Sequence, residues 1–222
     1  MDYVVKRMKR KTLGIYILKD GSVEVRAPRN VRRNTIDDFV ASKQEWIQQA
    51  QARALALKDC QDSFELKDGS RLLVLGKAVP LVVCDGGKAC FDGSAFYVIE
   101  GKPLKPQVIE VYRQLARQTI ARRIALYAPK MGVAPAGLTI TSARTRWGSC
   151  SGKNRLSFSW KLIMVPLSAV DYVVVHELAH IWEHNHSKSF WKIVRCYYPN
   201  IEAAKETLKH LAEKLLTENW EL

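Results

Sequence analysis

The run His176-Glu177-Leu178-Ala179-His180 lies inside the apolar stretch Asp171–Trp182. Val173, Val174, Val175, Leu178, Ala179 and Ile181 surround it, so the segment predicts a largely buried helix. Residues four apart on a helix share a face, about 6 Å apart along the axis. Two imidazoles so placed can grip one metal ion, and Glu177 can act on a water beside it. Burying two histidines and a glutamate without partners is costly, and a metal supplies the partner. A surface helix with His and Glu at these spacings would not carry such flanks.

Two histidines do not complete a catalytic zinc site, which takes three protein ligands and a water. Of the five histidines in the chain, four fall within eleven residues: His176, His180, His184 and His186. The downstream candidates are Glu183, His184 and His186. On a continuous helix His184 would lie about 12 Å along the axis from His176, too far to close on the same ion. Asn185 suits a helix end or turn, and Ser187 suits the N-cap of a following helix over 188–198. That geometry favours His186 as the third ligand, with His184 next and Glu183 after it.

The first hundred residues read as mostly strand. Thr12–Leu18 alternates, and a second strand over 21–27 follows the Asp20-Gly21 turn. Asn34 or Thr35 can cap one long helix to about Leu57, with Trp46 in its core face. Strands follow at 71–75, 79–84 and 96–99, and Gly101-Lys102-Pro103 marks the expected boundary. A helix is expected over 106–131, two strands at 139–141 and 156–160, and the metal helix with Ser168 as N-cap and Asp171 completing a capping box. Helices at 188–198 and 201–216 close the chain. The class is α+β, with a β-rich domain over residues 1–102 and a metal-binding domain over residues 103–222. No internal repeat is evident.

The net charge is +13 over 222 residues. Residues 1–33 hold ten Lys/Arg against three Asp/Glu, a net +7. Such a cluster attracts polyanions, whether nucleic acid, nucleotide phosphate or acidic protein, or serves only as a solvated basic face. No stretch approaches the roughly 18 apolar residues of a membrane helix, and the start has no secretory h-region. The five cysteines form no C-x-x-C pair, which suits reduced thiols in the cytoplasm.

Arg146-Trp-Gly-Ser-Cys150, Leu162-Ile163 with Pro166, the 171–180 segment, Asn185-His-Ser187 and Phe190-Trp191 follow one another in order. That series resembles the YgjP-like metallopeptidase-domain family, and it also resembles the SprT-like zincins. The resemblance implies a zincin-like domain with His176, His180 and His186 as metal ligands and Glu177 as the catalytic residue. It also implies hydrolysis, either of peptides or of a pyrophosphate bond in UTP. Zinc suits three imidazoles, as does nickel. The expected function is a zinc-dependent hydrolase of metallopeptidase type. The alternatives are a nucleoside triphosphate pyrophosphatase and a basic nucleic-acid or protein adaptor with a structural metal. Arg144, Arg146 and Trp147 are candidate substrate contacts, from a strand lining the cleft; the two arginines could also be plain surface charges.

Overall fold

The computed structural model describes residues 1–221. Its helices and strands make an α+β fold divided into two compact units. One comprises Met1–Phe64 with Lys214–Asn219; the other comprises Glu65–Glu213 with the residues from Trp220 on.

The first unit holds β1 (Val4–Met8), β2 (Gly14–Ile17) and β3 (Val23–Pro28), with β3 central, parallel to β1 and antiparallel to β2. Val23, Val25 and Ala27 of β3 bury against Ile36, Val40 and Ile47. These come from two helices, α1 (Arg33–Ala41) and α2 (Gln44–Asp62), where one was expected. The break falls at Ser42-Lys43. Lys43 has φ −116° and ψ 13°, outside the helical well, and the Ser42 hydroxyl donates to the Phe39 carbonyl at 2.8 Å. The first helix starts at Arg33, so neither Asn34 nor Thr35 caps it. The break also changes the buried face of α2. Ile47 is fully buried while Trp46 is 47% exposed, which corrects the placement of Trp46 in the core.

Part of the amino-terminal basic cluster is paired internally. Lys6 and Arg26 both pair with the buried Glu24. The Arg7 guanidinium donates to the carbonyls of Arg29 and Val31 at 3.0 and 2.7 Å.

The second unit begins with β4 (Arg71–Val74), β5 (Lys77–Cys84), β6 (Cys90–Phe91) and β7 (Phe96–Ile99), in the spatial order β4-β5-β7-β6. Then come α3 (Leu104–Met131), β8 (Gly137–Thr141), β9 (Gly148–Cys150), β10 (Arg155–Ser159) and a 3-10 helix, Trp160–Met164. The helices α4 (Leu167–Trp182), α5 (Lys188–Tyr197) and α6 (Ile201–Leu216) follow. No described helix is long and apolar enough to cross a membrane.

The division at Phe64 differs from the boundary expected near Lys102, and the reason lies in what β4–β7 touch. The Tyr112 hydroxyl on α3 donates to the Leu73 carbonyl at 3.0 Å, and its ring packs on Phe96 with centroids 4.8 Å apart. At the β4–β5 turn, Leu75 and Gly76 have φ of 48° and 80° and donate their N–H groups to Ile163 and Met164 of the 3-10 helix. A side chain at Gly76 would meet Pro166 Cγ at 2.7 Å. The hairpin thus sits against the residues that open α4.

Pro166, with φ −52°, occupies the N-cap position of α4, and no side chain caps that end. Ser168 therefore lies inside the first turn. Asp171, expected in a capping box, instead accepts from Arg123 of α3, Nε at 2.5 Å and Nη2 at 2.8 Å. At the far end, Gly132 takes the left-handed conformation (φ 65°) that closes α3, and the Trp182 indole donates to the Met131 carbonyl at 3.0 Å. Helix α4 is thereby fixed to α3 at both ends. Arg123→Ala is expected to leave the buried Asp171 carboxylate unpaired and to cost about 2–4 kcal/mol. Denaturant unfolding checks this; a loss below about 0.5 kcal/mol would mean the ion pair does not anchor α4.

Candidate metal centre

Ten residues of helix α4 are buried, all but Asp171 and Glu177 apolar. His176 and His180 stand on its one polar edge, half-buried, while Glu177 is 5% exposed. The helix ends at Trp182, and the chain turns through His184 and Asn185, with Ser187 N–H donating to the Asn185 carbonyl at 2.8 Å. Ser187 then caps α5, its hydroxyl accepting from Phe190 N–H at 3.2 Å. This turn returns His186 to the other two histidines. One ring nitrogen from each of His176, His180 and His186 lies within 4.8 Å of the others. His184 and Glu183 are not in the cluster.

The donor set fits a first-row divalent ion. Zinc–nitrogen bonds of about 2.0–2.1 Å in a tetrahedron put nitrogens roughly 3.3 Å apart, and His176 Nε2 and His186 Nε2 stand 3.1 Å apart. His180 Nδ1 is 3.1 Å from the Glu183 carbonyl, which suits Nδ1–H donation and leaves Nε2 as the electron-pair donor. His176 Nδ1 is buried with no partner among the described residues, so that ring meets polar company only at other imidazoles. A cation between the facing Nε2 atoms of His176 and His186 relieves the repulsion of their lone pairs. Burial, helped by the charges of His180, His186 and Lys205, lowers the His176 pKa to about 3. Burial lowers His180 as well, against the Glu183 hydrogen bond. Neutral imidazoles are the metal-binding form.

Aromatic rings hold the imidazoles in place. Phe190, fully buried, stacks on His180 at 4.4 Å, and Trp191 stacks on His186 at 5.9 Å. Tyr172 meets His176 edge-on at 5.9 Å.

Glu177 faces β9. An added Cβ on Gly148 would lie 2.7 Å from both Glu177 Cγ and Oε1, so only glycine leaves room for the carboxylate. Burial pushes Glu177 up to about 8, against the pull of Arg146. Cys150, half-buried nearby, has its thiol raised by burial and then by Glu177. The lining strand was expected near 144–147. It lies just beyond that range, from Gly148, as β9 on the edge of the β8-β10-β9 sheet, with the Trp147 carbonyl accepting from Ser159 N–H at 2.9 Å.

A cavity of about 380 Å³ opens beside His176 and Glu177. Of the candidate substrate contacts, Trp147 lines it. Arg146 is exposed, though its charge reaches Glu177. Arg144 is exposed and paired with Glu221 at 2.7 Å, outside the lining. The sequence reading missed Gly148, Tyr172, Lys205 and Lys209. For Gly148 a signal existed: a glycine opening a strand marks close approach of another segment. Gly148→Ala is expected to destabilise by about 1–3 kcal/mol through overpacking. The penalty should largely vanish in Gly148→Ala/Glu177→Ala, where the obstructing carboxylate is gone. Additive losses in that cycle, read by denaturant melts, would show that the two residues do not contend for space.

A family model described as YgjP-like, metallopeptidase domain, matches residues 11–211. The chain belongs to the YgjP-like metallopeptidase-domain family. It is on that ground a metal-dependent hydrolase of metallopeptidase type, a class that works with a divalent metal. No curated protein matches the chain. Among solved structures, the crystal structure of the metallopeptidase zymogen of Pyrococcus abyssi abylysin is 21% identical, covering 46% of this chain and 97% of that one with a TM-score of 0.36. A likeness that slight adds nothing to the family membership.

Proposed function

We propose that the protein is a zinc-dependent peptidase in which His176, His180 and His186 hold the metal and Glu177 handles the proton. The carrying observation is the convergence of three imidazole nitrogens within 4.8 Å beside a buried glutamate that lines a cavity. A zinc ion held there supplies Lewis acidity and makes water acidic enough to attack near neutral pH. Glu177 accepts the proton of the attacking water and returns it to the leaving nitrogen. Gly148 leaves the carboxylate its space, and Phe190 and Trp191 keep the ligand rings in one orientation. β9 pairs on one side only, so its free edge suits an extended peptide bound by main-chain hydrogen bonds. Nickel fits the same nitrogen set.

Tyr172, Val173, Leu208 and Ala212 give the cavity apolar walls suited to a peptide side chain, and Lys205 and Lys209 line it as well. Arg144, which would serve a phosphate, lies outside the cavity lining. A buried glutamate next to the ligands has no use in a purely structural metal site, which weighs against the adaptor. Parallel assays of zinc-loaded protein on an unfolded protein and on nucleoside triphosphates test this. Peptide cleavage is expected. Triphosphate hydrolysis with no peptide cleavage would replace the peptidase by a pyrophosphatase.

A further inference from the structure

Helix α6 closes one side of the cavity with Lys205, Leu208, Lys209 and Ala212, spaced three and four apart and hence on one face. Leu208 is buried, whereas both lysines are exposed at the mouth. The opposite wall is Tyr172, Val173, His176 and Glu177 of α4. The space is therefore a largely apolar chamber lined on one side by two lysines, whose ammonium groups stand near Glu202 and Glu213, and on the other by a single carboxylate, Glu177. Neither lysine is strongly neutralised. Lys205 reaches Glu202 at 3.1 Å, but that carboxylate side chain is 83% exposed, and Lys209 lies 4.0 Å from the exposed Glu213. Exposed pairs of this kind hold little energy and exchange readily. Trp191, which stacks on His186, also carries Lys205 over its face at 4.8 Å, and this sets one ammonium beside the histidine cluster.

A volume of about 380 Å³ is at the small end for ligand sites, roughly 300–1,000 Å³. It suits the end of a chain better than a long stretch of it. Two cations beside apolar walls call for an anion attached to an apolar body.

Resting on the peptidase reading, we infer that this cavity receives the carboxyl-terminal residue of a peptide, its free carboxylate toward Lys205 and Lys209 and its apolar side chain against Tyr172, Val173 and Leu208. The bond cut is then the last one. Water adds across that C–N bond: its hydroxyl joins the carbonyl carbon, and its proton goes through Glu177 to the nitrogen of the released amino acid.

The test uses zinc-loaded full-length protein and N-acetylated hexapeptides ending in leucine, made with a free carboxylate or as the amide, with products read by mass spectrometry. Release of leucine alone is expected, with kcat/KM at least about 10-fold lower for the amide, the scale of losing a charge-assisted hydrogen bond. Lys205→Met/Lys209→Met should bring the two substrates within about twofold of each other, and Lys209→Met alone should move partway. A second arm needs no turnover. Calorimetric titration of zinc-loaded Glu177→Gln should show N-acetyl-leucine binding at least about 10-fold tighter than N-acetyl-leucinamide, a preference lost with the two lysines. Equal handling of acid and amide, or cuts placed without regard to the chain end, overturns the inference and leaves the peptidase reading standing. A preference for amidated peptides carrying an internal glutamate assigns the lysines to an acidic side chain and also overturns it. Lysine-dependent binding of a nucleoside triphosphate in place of N-acetyl-leucine does the same. If no peptide is cut yet the carboxylate preference in binding persists, the peptidase reading fails and the carboxylate pocket stands.

Discussion

Glu177→Gln is expected to keep the fold and the metal and to lose at least about two orders of magnitude in turnover, the usual scale of a general base. Glutamine matches glutamate in length, so it fills the space that Gly148 leaves and does not disturb the buried face of α4. It cannot accept a proton. Circular dichroism and metal content should match the parent while hydrolysis falls. Near-parental turnover would recast Glu177 as a packing partner of Gly148 and bring the structural-metal adaptor forward.

His186→Ala is expected to weaken zinc binding by at least about 100-fold, because two imidazoles on one helix cannot complete a site that needs three. His184→Ala should stay within about threefold of the parent. His184 sits in the turn after α4 and lies outside the cluster, whereas His186 stacks on Trp191 and reaches within 3.1 Å of His176. Competitive chelator titration of both variants decides the matter. Release of metal by His184→Ala but not by His186→Ala would reverse the ligand assignment.

What could be read from sequence was what depends on near neighbours. Two histidines four apart are brought together by helix geometry alone. The approach of His186 follows from a helix that must end before His184 and a serine that caps the next one, both local signals. The helix limits of α5 and α6 were likewise visible from caps and periodicity. What failed depended on distant partners or on breaks without a marker. The interruption at Ser42-Lys43 contains no glycine or proline, and apolar residues continue across it, so one helix was expected and Trp46 was given the wrong face. β1 carries Lys6 and Arg7 and lacks strand alternation; it exists because it pairs in parallel with β3, some twenty residues on. The strands β4–β7 read as continuous with those before them because their contacts to Tyr112 and to the 3-10 helix come from far along the chain. Ser168 and Asp171 have a capping-box look, but Pro166 already fixes the backbone at the start of α4, and Arg123 claims the carboxylate. The lysines of α6 belong to the site only through packing, so no local pattern announced their part in it.

X-ray absorption at the zinc edge of zinc-reconstituted protein shows whether His176, His180 and His186 hold one metal ion. The expected result is one ion per chain with three imidazole nitrogens at about 2.0 Å and one further light ligand. A sulfur shell from Cys150, fewer than three imidazoles, or a folded protein that takes up no zinc would contradict it.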